Sequence, residues 1–475
     1  MAKEGTVYEF ELTYDGEKVI LTIENDNVVL ETNVEKTGDE LGQGNEVINY
    51  QISDVHNGSS VRLNNFKIED SLPSEVRLQS ITTGTFSEDL TYKVQYTTNK
   101  NNIKTIKNNL STITDNSIDF TNEQLSNDEY ITKFTFIFDS VKSNFKNTSD
   151  ITVKAKVIEG LEKNSIFKNC VVVSGTYLNV TVEDKDCTPT VVYENKIEIN
   201  KATKEDNQYT NETKGTLMTG VKFDIFDSTS NELVGQITTE NGYAELKYLP
   251  IGSYYAVETE TLDYYVLPEN NRFKFEITKK GQTVILNIEN DVVNLIVDVE
   301  KTGTVETIPG GNLEYLFDIQ NKSNDTVENF VFGDILPSEI RIDKIFTGTF
   351  NQKNTYKVQY ITNNNSNWKT IDTYSTKINN EVDLSSSKLN LSDGEYVKEF
   401  RFVFDNPVEK GFKNSGTKIT ATANADLINN QIFTNKTYIN ATYLAVKLSD
   451  KDEFHTIVRI PEVENLTGVL PRTGK

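Results

Sequence analysis

The sequence predicts an all-β chain of several β-sandwich modules in series, on three grounds: composition, the period of its apolar residues and an internal repeat. Tyr and Phe number 22 and 24 among 475 residues, while Pro (9), Met (2) and Trp (1) are scarce, a bias toward strands and turns. Apolar and polar residues alternate with period two over short stretches broken by Asn, Gly, Asp and Ser clusters, the pattern of sandwiches. The chain is too long for one core, and ~150 residues per domain gives about three modules.

The repeat sets the order of the modules. EFELTYDGEKVILTIENDNVV at 9–29 is echoed by KFEITKKGQTVILNIENDVVN at 274–294. At nearly the same offset VEKTG recurs at 34 and 299, SLPSEVR at 71 answers ILPSEIR at 335, and TYKVQY recurs unchanged at 91 and 355. Two copies of one module type, A, are therefore expected at 29–192 and 293–449, with a different type, B, at 193–292 between them. Residues 1–28 resemble the final hairpin of a truncated B module, to be frayed, packed on the first A module or paired with another chain. Residues 450–475 are expected to be a linker. Within B, the segments KIEINKA, VKFDIFD, LVGQITT, YAELKYL, SYYAVETE, FKFEIT and VILNIEN read as seven strands. The capping-box spacing of TNEQ at Thr121 predicts a short helix.

Charge and composition exclude several functions. With 48 basic and 71 acidic side chains the net charge is −23, which repels nucleic acid and anionic lipid alike. No run of 18 apolar residues occurs, so no membrane span is expected in this sequence, and the first residues lack the apolar core of a signal peptide; trimming at both ends is the expectation. Two Cys and two His leave no metal site of the usual kinds and no thiol or serine triad unless His56 or His455 serves. No cofactor motif is present.

The informative departures are ionisable residues in phase with the buried side of a strand. In B, Lys201 follows Ile197 and Ile199, Glu258 follows Tyr254 and Ala256, and Asn290 follows Val284, Leu286 and Ile288. In the second A module Lys301 is in phase with Val297 and Val299, Asp334 with Phe330 and Phe332, and Asn435 with Phe433. In the first, Lys36 aligns with Val34, Asp70 with Phe66 and Ile68, and Asn169 with Phe167 and Val171. Burial drives a Lys toward the neutral amine and an acid toward the protonated form. A neutral amine is a nucleophile, and a protonated acid can polarise an Asn carbonyl and shuttle protons while ammonia leaves. The expected product is an intramolecular Lys–Asn isopeptide bond, promoted by Glu258, Asp70 and Asp334. The plainer alternative is a Lys that snorkels to the strand end and pairs with the acid.

These residues resemble known families. INKAT with Lys201, SYYAVETETLDYYVL with Glu258 and VILNIEN with Asn290 resemble the Cna-B or SpaA-type, prealbumin-like domain of Gram-positive surface proteins and pilins, although Leu262, Asp263 and Tyr264 replace the Pro and Gly usual after the E-box. The A modules are similar to the conserved repeat domain of bacterial surface proteins, with a Cna-A-like Lys, Asp, Asn set; the first copy departs at His56, where the second has Asn321. The resemblance implies immunoglobulin-like and prealbumin-like sandwiches.

Leu470, Pro471, Arg472, Thr473 and Gly474 match the LPxTG sorting signal. That resemblance implies cleavage by a sortase after Thr473 and transfer to a peptidoglycan or pilin amine. The expectation is a non-enzymatic, wall-anchored adhesin or stalk, extracellular, without metal or cofactor, facing a host or matrix ligand of unknown identity. The absence of YPK favours a monomeric wall protein over a polymer backbone. The alternative is a set of accessory domains of an extracellular glycan-active enzyme whose catalytic part lies upstream. Three further features stay open: Cys170 and Cys187 can bond outside the cell, but Lys436 aligns with Cys170 in the second copy; Glu183 to Asp186 reads as a solvated charge run rather than a calcium loop; and Trp368 sits in a polar loop.

Overall fold

The computed structural model describes residues 7–24 and 27–461, so Asn25 and Leu470 to Gly474 lie outside the described residues. Every regular element described is a strand. The expected helix at Thr121 is instead a turn. Asp119 Oδ1 accepts from the Thr121 backbone N–H and hydroxyl at 2.8 and 2.7 Å, an Asx turn that outcompetes a capping box.

The residues group into two compact units, one comprising residues up to 202 with 217–260 and 269–288, the other 203–216 with 261–268 and 289–475. The first A module lies in the first unit. A seven-stranded sheet runs Ile103–Ser111, Thr91–Thr98, Ile131–Val141, Leu63–Ser71, Ile166–Tyr177, Val180–Val192 and Leu41–Gly42, and a five-stranded sheet runs Ser117–Asp119, Val76–Thr82, Ile151–Val157, Val47–Asn57 and Thr32–Gly38. Alternate residues of facing strands, among them Ile52, Val55, Phe66, Ile68, Phe134 and Phe136, fill one core. Period-two patterning thus becomes two apolar faces packed on each other.

The second A module, in the second unit, repeats this plan with five strands led by Val297–Gly303 and seven that include Glu328–Ile335, Ile432–Tyr443 and Val446–Val458. That last strand is part of the sheet, so residues 450–458 belong to the sandwich rather than to a linker. The structural counterpart of Asn321 is Asn57, not His56. Each of the two Asn side chains donates to a carbonyl four residues on, Val61 or Asp325, and accepts from the N–H two residues on, Ser59 or Ser323.

The B module has eight strands rather than seven. One sheet orders Tyr243–Lys247, Lys196–Thr203, Thr283–Val292 and Tyr265–Val266; the other orders Leu233–Thr238, Lys222–Asp227, Gly252–Glu260 and Arg272–Ile277. The last two long strands therefore lie in different sheets. Their near-copies at the N-terminus, Val7–Tyr14 and Glu17–Glu24, pair with each other instead, in a two-stranded hairpin from Val7↔Glu24 to Tyr14↔Glu17.

Candidate functional site

In the second A module the first strand of the five-stranded sheet carries Lys301, and two neighbouring strands of the opposing sheet carry Asp334 and Asn435. Asp334 pairs in register with Thr437, placing Asn435 two residues along on the same inward face. Lys301 reaches across the sandwich from the other sheet. Its Nζ is ion-paired with Asp334 Oδ1, both side chains fully buried. Asn435 Nδ2 donates to Asp334 Oδ2 at 3.2 Å, so the carboxyl bridges amine and carboxamide. Asn435 Oδ1 makes no hydrogen bond. With the carboxamide turned by 180°, the same approach lets a protonated Asp334 donate to that oxygen.

Burial raises the Asp334 pKa, against the lowering influence of Lys301, and burial depresses the Lys301 amine below its usual value against the pull of Asp334. Both shifts favour the neutral pair, an amine with a free lone pair beside a carboxylic acid.

The first A module builds the same set on the same strands. Lys36 and Asp70 form a fully buried ion pair, and burial raises the Asp70 pKa. Asn169 is fully buried two residues from Val171, the register partner of Asp70. Neither carboxamide atom of Asn169 nor Asp70 Oδ1 makes a hydrogen bond. An unsatisfied buried polar atom costs about 1–3 kcal/mol, so this carboxamide is held in the core at the expense of stability.

Two supports of the amine are absent from the sequence reading. Gly38 faces Tyr50 in register, and a Cβ on Gly38 would lie 2.4 Å from the Tyr50 ring. The glycine of VEKTG thus lets the ring lie along the strand, 5.2 Å from Lys36 Nζ. Gly303 and Tyr315 repeat this, with Lys301 Nζ 5.0 Å from the ring. The second support is the DKD recurring at 184–186 and 450–452. The Val34 and Lys36 N–H groups donate to Asp184 and Asp186 at 2.9 and 2.7 Å, and Val299 and Lys301 to Asp450 and Asp452 at 2.8 and 2.6 Å. Asp184 and Asp186 are therefore not a merely solvated charge run: they bond the edge of the Lys strand. The recurrence of DKD was the signal available in the sequence.

Cys170 and Cys187 sit opposite each other in register and are disulfide-bonded. The same position of the second module holds Lys436 and Glu453, 3.7 Å apart.

In the B module Lys201 Nζ lies 2.9 Å from Glu258 Oε2, both side chains fully buried. Glu258 follows Tyr254 and Ala256 inward, and Lys201 follows Ile197 and Ile199, all buried. Asn290 is also buried and donates to Thr261 Oγ1 at 2.7 Å. Trp368 stacks on the Arg401 guanidinium at 3.8 Å. No helix among the described residues is long and apolar enough to cross a membrane.

No curated protein matches the chain. Among solved structures, it is similar to BcpA, the major pilin subunit of Bacillus cereus, at 17% identity over 59% of this chain and 81% of that one, TM-score 0.36. It is similar to the T6 backbone pilin of Streptococcus pyogenes at 14% identity over 86% and 68%, TM-score 0.27, and to the major pilin SpaD of Corynebacterium diphtheriae at 14% over 55% and 66%, TM-score 0.22. Residues 201–292, from Lys201 to just past Asn290, match the family model of SpaA, a prealbumin-like fold domain.

Proposed function

We propose that the chain is a pilin-like surface protein of a Gram-positive cell, a load-bearing stalk or adhesin whose sandwiches each close a Lys–Asn isopeptide bond: Lys36 with Asn169, Lys201 with Asn290 and Lys301 with Asn435. The observation that carries this is the buried Lys–acid pair made three times on inward faces of strands, where a plain salt bridge adds little stability. In the second A module the Lys301 lone pair attacks Cγ of Asn435 while Asp334 gives its proton to the amide oxygen. The carboxylate then relays a proton from the attacking nitrogen to Nδ2; as the Cγ–Nδ2 bond breaks and ammonia leaves, the hydroxyl returns its proton to Asp334, the C=O re-forms and the Nζ–Cγ bond remains. Asp70 and Glu258 take the same role in the other modules. The chemistry happens once per molecule, and no turnover follows. The match of 201–292 to a prealbumin-like domain supports the reading for B.

Attachment belongs to the same proposal. A sortase cleaves between Thr473 and Gly474 and joins the Thr473 carbonyl to a peptidoglycan or pilin amine, leaving the sandwiches to present a host or matrix ligand site outside the wall.

Intact-mass measurement tests the first part. Three bonds remove three ammonia molecules, about 51 Da in all, and an unmodified mass refutes it. Incubation with a sortase and an amine nucleophile tests the second: the amine should appear on Thr473 with release of Gly474 and Lys475, and an intact C-terminus refutes it.

A further inference from the structure

In the first A module the strand that carries Lys36, Thr32–Gly38, is the outermost of its sheet and pairs along one edge with Val47–Asn57. Its other edge is held by side chains of Val180–Val192, a strand of the opposite sheet. Besides the two aspartates bonded to the Val34 and Lys36 N–H groups, Thr188 Oγ1 donates to the Lys36 carbonyl at 2.7 Å and Thr190 Oγ1 to the Asp39 carbonyl at 2.9 Å. Asp186 and Thr188 thus grip Lys36 by both of its backbone polar groups.

Cys187 lies between those two residues and, by the alternation of a strand, turns to the other face. Its register partner is Cys170, which follows Asn169 in the chain. Cys170 pairs on its other side with Ser71, which follows Asp70. The disulfide therefore ties the strand that fixes the nucleophile to the strand that carries the amide, one residue away from each reacting position. Both cysteines are half-buried on the outer face of the sheet, within reach of a dissolved thiol or disulfide.

The second A module builds this frame differently. Phe454 stands at the Thr188 position, and Lys436 and Glu453 stand at those of Cys170 and Cys187. The Lys436–Glu453 pair is 3.7 Å apart with side chains 61% and 49% exposed, and an exposed ion pair constrains two strands weakly. There the carboxamide is oriented by its own hydrogen bond to Asp334. In the first module neither carboxamide atom of Asn169 makes one, so the amide depends for its placement on the strand beneath it. Attack needs the reacting atoms about 3–3.5 Å apart, and a misplacement of about 1 Å can cost ~100-fold in rate.

We propose that the Cys170–Cys187 disulfide is a positioning crosslink for the first A module, so that closure of the Lys36–Asn169 bond waits on oxidation of the two thiols. The inference rests on the isopeptide reading of Lys36 and Asn169. Oxidation proceeds by exchange with an external disulfide: the two thiols give up two protons and two electrons, an S–S bond forms, and the external disulfide leaves as two thiols. Loss of ammonia follows as a separate, redox-neutral step. The first A module then locks in an oxidising compartment, whereas the second locks on folding.

The full chain, produced and kept in dithiothreitol, tests this by intact mass and peptide mapping. Before oxidation the bonds of B and of the second A module should be closed, with Lys36 and Asn169 in separate peptides. Oxidised glutathione, added after removal of dithiothreitol, should remove about 2 Da as the disulfide closes and then about 17 Da from the first A module alone. In the reduced chain the Lys36–Asn169 bond should form about tenfold to a hundredfold more slowly. A chain with both Cys170→Ser and Cys187→Ser should keep the slow rate with or without glutathione. Far-UV circular dichroism and the resistance of residues 29–192 to limited proteolysis should be the same in the reduced and oxidised chains; a first A module unfolded by reduction makes the disulfide a matter of stability and overturns the proposal. Equal crosslinking rates in the reduced, oxidised and double-serine chains overturn it and leave the isopeptide reading standing. An oxidised chain in which Lys36 and Asn169 stay unlinked overturns both for this module.

Discussion

Replacing Asp334 by Asn keeps the shape of the side chain and removes the carboxyl that touches both Lys301 and Asn435. The amide cannot shuttle a proton, so the bond between Lys301 and Asn435 should not form. Its absence frees a loop of 134 residues. On the chain-entropy model of crosslinks that loop is worth about 5 kcal/mol. The variant also leaves a buried amine without its acid, and removal of one partner of a buried pair costs about 3–5 kcal/mol. At about 2–4 °C per kcal/mol for a module of this size, the crosslink alone corresponds to a melting shift of ~10–20 °C. Peptide mass mapping and calorimetry of the full chain check both parts. The variant should yield separate peptides for Lys301 and Asn435, where the parent yields one branched peptide lighter by about 17 Da, and only the transition of the second A module should move. A branched peptide in the Asp334→Asn protein, or free Lys301 in the parent, would falsify the assignment.

Glu258→Ala should abolish the ammonia loss between Lys201 and Asn290 while B remains folded, at a cost near 4–5 kcal/mol for an 89-residue loop; a retained crosslink in mapped peptides rules out Glu258 as the promoter. Asp186→Ala should lower the melting point of the first A module by the worth of a charged hydrogen bond, about 1.5–3 kcal/mol, and slow its crosslinking relative to the second module during refolding, with equal rates counting against a positioning role. In an Asn435→Ala protein the pair Lys301–Asp334 stays unreacted. The neutral pair that both shifts favour would hold one proton, on Asp334, and the unfolded form at neutral pH also holds one, on the lysine. Stability should therefore be flat near pH 7, falling as pH drops through the unfolded carboxyl value near 3.8 and as it rises through the unfolded amine value near 10.5; a steep slope at pH 7 in urea midpoints excludes the neutral pair. Burial pushes Tyr50 and Tyr315 up to about 12, so the stability these phenols give, present below pH 10, should be lost between pH 10 and 12, with phenolate absorbance rising together with unfolding rather than before it.

The strands and the inward polar residues were legible because a period of two assigns every residue to a face, and Lys36, Asp70, Asn169 and their counterparts fall on the apolar one. Pairing partners were not. The hairpin 7–24 and residues 272–289 are identical at half of their positions, yet the latter strands lie in separate sheets and the former zip to each other. Identical local patterns satisfy whichever backbone edge is at hand. The disulfide was open for a related reason. Cys170 and Cys187 are equidistant from the turn at Leu178 and Asn179, so they face each other once Tyr177 pairs with Val180. That turn places Leu178 at φ 54° and its counterpart Leu444 at φ 48°, a conformation that a leucine does not advertise. The aspartates of DKD read as solvent-facing because alternation reports burial, not hydrogen bonding to a neighbouring strand edge.

The placement of the three Lys residues bears on how the chain would carry load. In each A module the proposed bond runs from the first strand of one sheet to the next-to-last strand of the other, so it ties the two sheets together. In B, Lys201 and Asn290 are on adjacent strands of one sheet, and Glu258 approaches from the opposite sheet. Both arrangements join a residue near the start of a module to one near its end. With the proposed bond formed, tension entering at Lys301 would pass through it to Asn435 and bypass the 133 residues between them. Unravelled, those residues would add up to ~450 Å of contour at about 3.3–3.6 Å each; bonded, they add none. Only the segment after Asn435 stays in the load path without a covalent shunt. It contains the hairpin partner Val446–Val458, whose Asp450 and Asp452 hold the edge of the Lys strand. Pulling on that strand therefore loads the hydrogen bonds that position the Lys, and a bond formed beforehand makes their loss harmless. Autocatalysis at folding, before any load is applied, is the sequence of events under which this arrangement works.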